Sequence, residues 1–238
     1  MTFYETLTPY YDQIFPANPI QLHFLSTTFA QKGRLLDVGA GTGNMAAALV
    51  EQGFTVLAAE PERMMAEQIM KKAEKSDKLT VSTLPMQQIE DVGEAFDGIY
   101  CVGNTLVHLN DMAEIQDFLH TAYSQLNDHG KLVIQIVNYE KVLLHQDFKF
   151  PVMTRETFQF ERSYALADDK ILFTTTLTAD GERLSNTIPL YPATAEQLRP
   201  VLQSCGFASV ATCGNFDAEP YSSAASPALI IVANKSSI

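Results

Sequence analysis

Gly39, Gly41 and Gly43 fall within five residues, between the apolar run Arg34–Val38 and the helical pattern Met45–Val50. Glycine lets a chain turn tightly and approach a ligand without a Cβ in the way. A helix that begins there points unpaired N–H groups at whatever occupies the turn. Glycines also make ordinary strand-to-helix turns, but a buried strand, a glycine loop and a helix in this order predict the first unit of a parallel α/β sheet. The dinucleotide fingerprint G-x-G-x-x-G fits poorly, because the third glycine comes one residue early and Asn44 holds its expected place.

Strands and helices alternate from there. Thr55–Ala59 reads as a second strand, residues 63–75 as a charged helix, Leu79–Thr83 as a weaker strand and Phe96–Val102 as a fourth. Asp111 with Glu114 gives a capping-box-like start. Ile115, Phe118, Leu119, Ala122 and Leu126 keep helical spacing up to Gly130, and Lys131–Val137 is a near-continuous apolar strand. Unbroken apolar strands separated by helices imply a parallel sheet covered on both faces.

The pattern changes after Tyr139. From Phe148 to Leu190 the chain alternates as antiparallel strands do, with turn signals at Asp168-Asp169 and Asp180-Gly181. Helical spacing returns after Thr194 and closes at Gly206, and two short strands follow near 208–212 and 229–233. The expected architecture is α/β: a Rossmann-like, seven-stranded, mostly parallel sheet with helices on both faces, its last strand antiparallel. The expected units are a core over 1–138, an inserted antiparallel β cap over 139–192, and a C-terminal segment over 193–238 that completes the core.

Composition narrows the partners. The formal net charge is -12, which disfavours nucleic acid and anionic membranes, since both are bound through Lys and Arg. No apolar run approaches the ~20 residues a membrane helix needs. The start, Met1-Thr2-Phe3-Tyr4-Glu5, lacks a basic segment followed by an apolar one, so no signal peptide is expected. Cys101, Cys205 and Cys213 are far apart and form no C-x-x-C pair. That argues against a disulfide framework or a metal site and suits a cytoplasmic protein.

A second signal lies about twenty residues past the glycine loop. Glu60 ends the second strand, where a carboxylate can accept from both hydroxyls of a ribose. It could equally answer the dipole of the helix that follows.

With these residues in view, the chain resembles class I S-adenosylmethionine-dependent methyltransferases. Leu35-Leu36-Asp37-Val38-Gly39-Ala40-Gly41-Thr42-Gly43 resembles their first motif, Glu60-Pro61-Glu62-Arg63-Met64 their acidic second motif, and Phe96-Asp97-Gly98-Ile99-Tyr100-Cys101 their fourth-strand motif. Gly103-Asn104-Thr105-Leu106-Val107-His108-Leu109 is similar to the loop after that strand in glycine/sarcosine-type N-methyltransferases. The resemblance implies S-adenosylmethionine as cofactor. Gly39, Ala40 and Gly41 would lie against its methionine part, with Asp37 supporting the loop. Glu60 would hold the ribose, and Pro61 and Met64 would flank the adenine. The acidic residue that often meets the adenine amino group is missing, and Met86 and Gln87 stand in its place. Cys101 and Gly103 would line the cofactor near the transferred methyl.

The acceptor side is less legible. His108, Asn104 and Tyr11 are the candidates for catalytic work, His108 as a base and Tyr10-Tyr11-Asp12 as part of a segment closing over the cofactor. Arg155 could meet a substrate carboxylate bidentately, and Tyr191 marks the return from the insert. The expected reaction is methyl transfer to a small molecule, nitrogen favoured. An NAD-dependent oxidoreductase and a cofactor-binding protein without turnover are the alternatives, and nothing in the sequence sets the oligomeric state.

Overall fold

The computed structural model describes residues 3–30, 32–93, 95–146 and 149–237. Met1, Thr2 and Phe148, all used in the sequence reading, lie outside them. Two helices come first, α1 (Phe3–Ile14) and α2 (Pro19–Phe29). The alternating part follows as β1 (Arg34–Val38), α3 (Asn44–Glu51), β2 (Thr55–Ala59), α4 (Arg63–Ala73) and β3 (Leu79–Ser82). It continues through β4 (Phe96–Cys101), α5 (Met112–Gln125), β5 (Leu126–Val137) and α6 (Tyr139–His145). The antiparallel strands β6 (Met153–Thr154), β7 (Phe158–Ala167), β8 (Lys170–Ala179) and β9 (Glu182–Leu190) come next. The chain closes with α7 (Ala195–Cys205), β10 (Ser209–Cys213) and β11 (Ala228–Asn234).

The main sheet runs β10-β11-β5-β4-β1-β2-β3. β3, β2, β1, β4 and β5 are mutually parallel, and β11 enters antiparallel between β5 and β10. Alternate residues of each central strand feed opposite cores, as the period of two requires. Leu36, Ile99, Leu132 and Ile134 pack with Ile115, Phe118 and Leu119 of α5 and Leu198 and Leu202 of α7. Leu35, Val56, Tyr100 and Val133 pack on the other side with Leu25 of α2, Leu49 of α3 and Ile69 of α4. Both faces being covered explains the unbroken apolar strands.

The second sheet, β6-β7-β8-β9, is a meander of hairpins. Asp168 (φ 53°) turns β7 into β8, and Asp180 (φ 52°) with Gly181 (φ 79°) turns β8 into β9, the left-handed conformations that two-residue hairpins demand. Its return is pinned to the core where the Tyr191 N–H donates to Val107 O at 2.8 Å.

Several local expectations change. The helix expected to run to Gly130 ends at Gln125. Leu126 already pairs with Phe96, while Lys131 pairs with Gly98, so residues 127–130 bulge out of the ladder with His129 at φ 62°. Within 139–192, the first described element is the helix α6, begun by Asn138, whose side-chain oxygen accepts from the Lys141 N–H. The Asp111 carboxylate does cap α5, on Ala113 and Glu114 N–H, but Glu114 turns back to Asn110 rather than to Asp111. α2 was not expected, and α1 only as the alternative in which Tyr10 and Tyr11 belong to an apolar helix face packed on the core. Pro9 lies inside α1, and the apolar residues of α2 make no one-sided stripe. The Asn18 cap and Pro19 at the first turn were the readable signals of α2.

Candidate active site

The C-terminal ends of β1, β2 and β4 meet at one edge of the main sheet, where ligands of open parallel sheets bind. Gly39, Gly41 and Gly43 sit there at φ 73°, 59° and 77°, a region that side-chain-bearing residues rarely enter. The N–H groups of Gly39 and Ala40 donate to Ala59 O, holding the loop onto β2. A Cβ on Gly39 would stand 2.2 Å from Thr105 Cγ2, and one on Gly41 would stand 2.7 Å from the Tyr11 hydroxyl. The loop is therefore a cradle that only glycine leaves open.

The acidic residue predicted from the second motif touches this loop. Gly41 N–H donates to Glu60 Oε2 at 2.7 Å, and Glu62 N–H donates to Glu60 Oε1 at 2.9 Å. Glu60 is 7% exposed. Burial raises its pKa, the donated N–H bonds from Glu62 and Gly41 oppose the rise, and the Glu62 carboxylate adds to it. Each carboxylate oxygen retains acceptor capacity toward a hydroxyl above it. Asp37, 3% exposed, lies below the loop. Burial pushes its pKa up to about 7, with the Tyr100 hydroxyl pulling it down and Glu60 pushing it further up.

A cavity of about 440 Å³ opens above these groups, between the sheet edge, α1 and the second sheet. At one end its wall carries Gly39, Gly41, Glu60, Pro61, Met86 and Gln87; Gly103 and His108 flank it from the loop after β4. Tyr11 of α1 and Phe160, Phe173 and Ile188 of the second sheet close it from above. An apolar slot beside a buried carboxylate and a glycine cradle suits a nucleoside carrying an amino-acid tail, so the residues present fit S-adenosylmethionine. His108 is largely buried, and burial holds its imidazole below its ordinary pKa, hence neutral near pH 7.

Other sequence candidates lie off the wall. Ala40 and Asp37 belong to the cradle's support. Cys101 is completely buried in the sheet and its thiol is pushed far up by that burial. Asn104, at φ 70°, ties the loop to β5: its Nδ2 donates to the Tyr139 hydroxyl at 2.8 Å and its Oδ1 accepts from the Val137 N–H. Met64 is turned aside and Met65 holds the wall, because α4 starts at Arg63 and sends Met65 and Ile69 inward. Arg155 is exposed and donates to Thr154 O. The Tyr191 ring stands under Lys170, and its hydroxyl accepts from Gln197, so it braces the second sheet on α7.

One feature escaped the sequence reading. Asp12 of α1 accepts from the Thr42 hydroxyl, from Asn44 Nδ2 at 3.0 Å and from Lys72 Nζ at 3.1 Å. Lys72 also donates to Thr42 O and Asn44 Oδ1, both at 2.7 Å. This cluster fastens α1, and with it Tyr11, onto the glycine loop. Its members are separated by up to 60 residues, and no local pattern marks them.

A family model described as "Methyltransferase domain" matches residues 13–211. A glycine/sarcosine N-methyltransferase of Aphanothece halophytica is 26% identical over 206 residues, which cover 81% of this chain and 74% of that one. A putative methyltransferase of Bacillus subtilis, YqeM, is 23% identical over 98% of this chain and 97% of its own. An S-adenosylmethionine-dependent methyltransferase from Clostridium acetobutylicum superposes with a TM-score of 0.81 at 14% identity, over 99% of this chain and 100% of that one. At that identity the superposition speaks to the fold.

Proposed function

The chain belongs to the methyltransferase-domain family, and from that premise we propose that it moves a methyl group from S-adenosylmethionine to a nitrogen atom of a small-molecule acceptor. The observation that carries the reading is the Gly41–Glu60 hydrogen bond, which puts a buried carboxylate and an open glycine cradle at the floor of one cavity. The name of the glycine/sarcosine relative supports nitrogen as the accepting atom.

In this reading Gly39, Ala40 and Gly41 surround the methionine portion, with Asp37 behind them. Glu60 accepts from the ribose hydroxyls. Pro61 and Met65, in place of Met64, flank the adenine, and Met86 and Gln87 meet its edge. Of the stretch Cys101–Asn104, Gly103 is the residue that reaches the wall. When bound, the cofactor supplies a sulfonium methyl group open to in-line displacement, so the protein's task is to position the acceptor and set its protonation state. His108, neutral and on the wall, can take the proton of an ammonium acceptor. Tyr11 and the aromatic side chains of the second sheet shut water out.

The units we assign are the core 1–138, the cap 139–192 and the closing segment 193–238. No helix among the described residues is long and apolar enough to cross a membrane. The net charge of -12 supports a small-molecule acceptor rather than nucleic acid, and the free thiols support a cytoplasmic setting.

The test is calorimetric titration with S-adenosylmethionine, S-adenosylhomocysteine and NAD, followed by turnover on a panel of small amines. Binding of the first two and not of NAD, with methylated amine as product, is expected. Preference for NAD, or methylation of RNA, DNA or protein with no amine turned over, would overturn the reading.

A further inference from the structure

The inner face of the second sheet carries a polar row that the functions above leave unused. Arg162 on β7 lies directly across from Thr175 on β8, and Thr175 directly across from Asn186 on β9. Directly opposed residues share a face, with Cβ atoms roughly 5 Å apart. The row is flanked on one side by Phe160, Leu177 and Leu184 and on the other by Tyr164, Phe173 and Ile188. Phe160, Phe173, Thr175, Asn186 and Ile188 all line the cavity, so the row faces it.

Polar groups on the two faces differ in what they do. On the outer face the hydroxyls of Thr174 and Thr187 bond to each other at 2.8 Å, and those of Thr176 and Ser185 at 2.7 Å. On the inner face the side chains of Arg162, Thr175 and Asn186 make no hydrogen bond or ion pair among the described residues. Arg162 Nε is buried without a partner. Its guanidinium carbon stands 5.0 Å from the centroid of the Phe150 ring and 5.9 Å from that of Phe160. Rings on its faces leave the N–H edge of a guanidinium free, and that edge matches a carboxylate bidentately. A half-buried cation without a counter-charge is costly to keep; the Phe150 and Phe160 rings offset part of that cost, and no carboxylate among the described residues pairs with it.

The remaining charges give the cavity a polarity. Its wall holds the carboxylates Glu60 and Glu62, and no lysine or arginine among the described residues. Lys72 is engaged by Asp12, Thr42 and Asn44, and Lys170 by the Asn110 carbonyl. Arg162 is not itself on the wall; it lies across from Thr175 and 5.9 Å from the Phe160 ring, both of which are. That polarity would turn an acceptor with an amine at one end and a carboxylate at the other so that its carboxylate faces the second sheet and its amine faces the sheet edge and His108.

We propose that Arg162, with Thr175 and Asn186, forms an acceptor subsite that takes the carboxylate of an amine substrate. The assignment rests on the methyl-transfer reading above and replaces Arg155 as the carboxylate-binding arginine.

The experiment uses the full chain saturated with S-adenosylhomocysteine, so that no turnover intervenes. Acetate and its neutral isostere acetamide are titrated while the arginine Nε–Hε resonances are followed by NMR. Acetate should bind and shift the Arg162 resonance, and acetamide should bind at least tenfold more weakly. Arg162→Met should weaken acetate at least tenfold with S-adenosylhomocysteine affinity unchanged, and Arg162→Lys, which keeps the charge, should recover part of the loss. Equal binding of acetate and acetamide, no binding of acetate, or unaltered acetate binding in Arg162→Met would each overturn the subsite. Loss of S-adenosylhomocysteine binding by the unmodified protein would instead overturn the methyl-transfer reading, and acetate binding to the cofactor-free protein would still decide the subsite.

Discussion

The Gly41 N–H and the Glu60 carboxylate, nineteen residues apart, are joined by a 2.7 Å hydrogen bond inside the cavity floor. The bond links the two sequence signals that stood alone in the chain. It orients the carboxylate before any ligand arrives, since the second oxygen is fixed in turn by the Glu62 N–H. Such pre-organisation lowers the ordering cost of binding.

Glu60→Ala should therefore weaken S-adenosylmethionine by about 1.5–3 kcal/mol, the range for hydrogen bonds to a charged group. Glu60→Gln should fall between, because one amide oxygen can still accept from Gly41. Calorimetry checks both; unchanged affinity in the alanine variant would place the cofactor elsewhere.

Asp37 gives a pH signature. Its folded pKa of about 7 lies above the ordinary aspartate value of 3.8, so the folded state holds the proton more tightly than the unfolded chain. Stability from this group is complete below about pH 4 and is lost as pH rises toward 7. In Asp37→Asn that loss is absent. The melting temperature of the variant minus that of the unmodified protein should grow steadily between pH 4 and 7 and then level off. A flat difference across this window would show that Asp37 does not titrate there.

The contrast between β1 and α1 shows what the sequence could reveal. Arg34–Val38 and the glycine loop announce themselves because strand burial, turn conformation and helix start are all local demands. The outer bounds of the main sheet followed from the same kind of pattern. Residues that depend on distant partners left little trace. Asp12, Thr42, Asn44 and Lys72 come together only in the fold. Met65 rather than Met64 was recoverable from its four-residue spacing with Ile69, and the inner row of the second sheet from the alternation Ile171, Phe173, Thr175, Leu177. Arg155 and Arg162 look alike as sequence; the fold leaves Arg155 exposed between β6 and β7 and sets Arg162 across from Thr175.

The Asp12 cluster should behave as a fastener for α1. Asp12→Ala and Lys72→Ala each remove shared hydrogen bonds, so the two losses should be strongly non-additive in a double-mutant cycle. Both side chains are partly exposed, which limits the coupling to about 0.5–1 kcal/mol. Amide exchange should speed up over residues 3–14 in either variant, and dissociation of S-adenosylhomocysteine should quicken with it. Unaltered exchange in that segment would mean that aromatic packing, such as Tyr10 on Phe158, holds the helix by itself.

His108 decides whether the protein helps remove the acceptor's proton. Burial depresses its pKa below the ordinary histidine value of 6.5, so the imidazole is already neutral and able to accept where an exposed histidine would still be half charged. A base must be unprotonated to act, so kcat should rise with pH through a limb below 6.5 and be flat above it, until other groups titrate. His108→Asn should remove that limb and lower kcat by about 10²–10⁴-fold, the usual worth of a positioned base, with S-adenosylmethionine affinity unchanged. If the imidazole only shapes the wall, the same variant should raise KM and leave both kcat and its pH dependence as they were. A pH–rate profile of the two proteins on one amine acceptor separates these outcomes, and an acidic limb that survives in His108→Asn would assign the proton to another group.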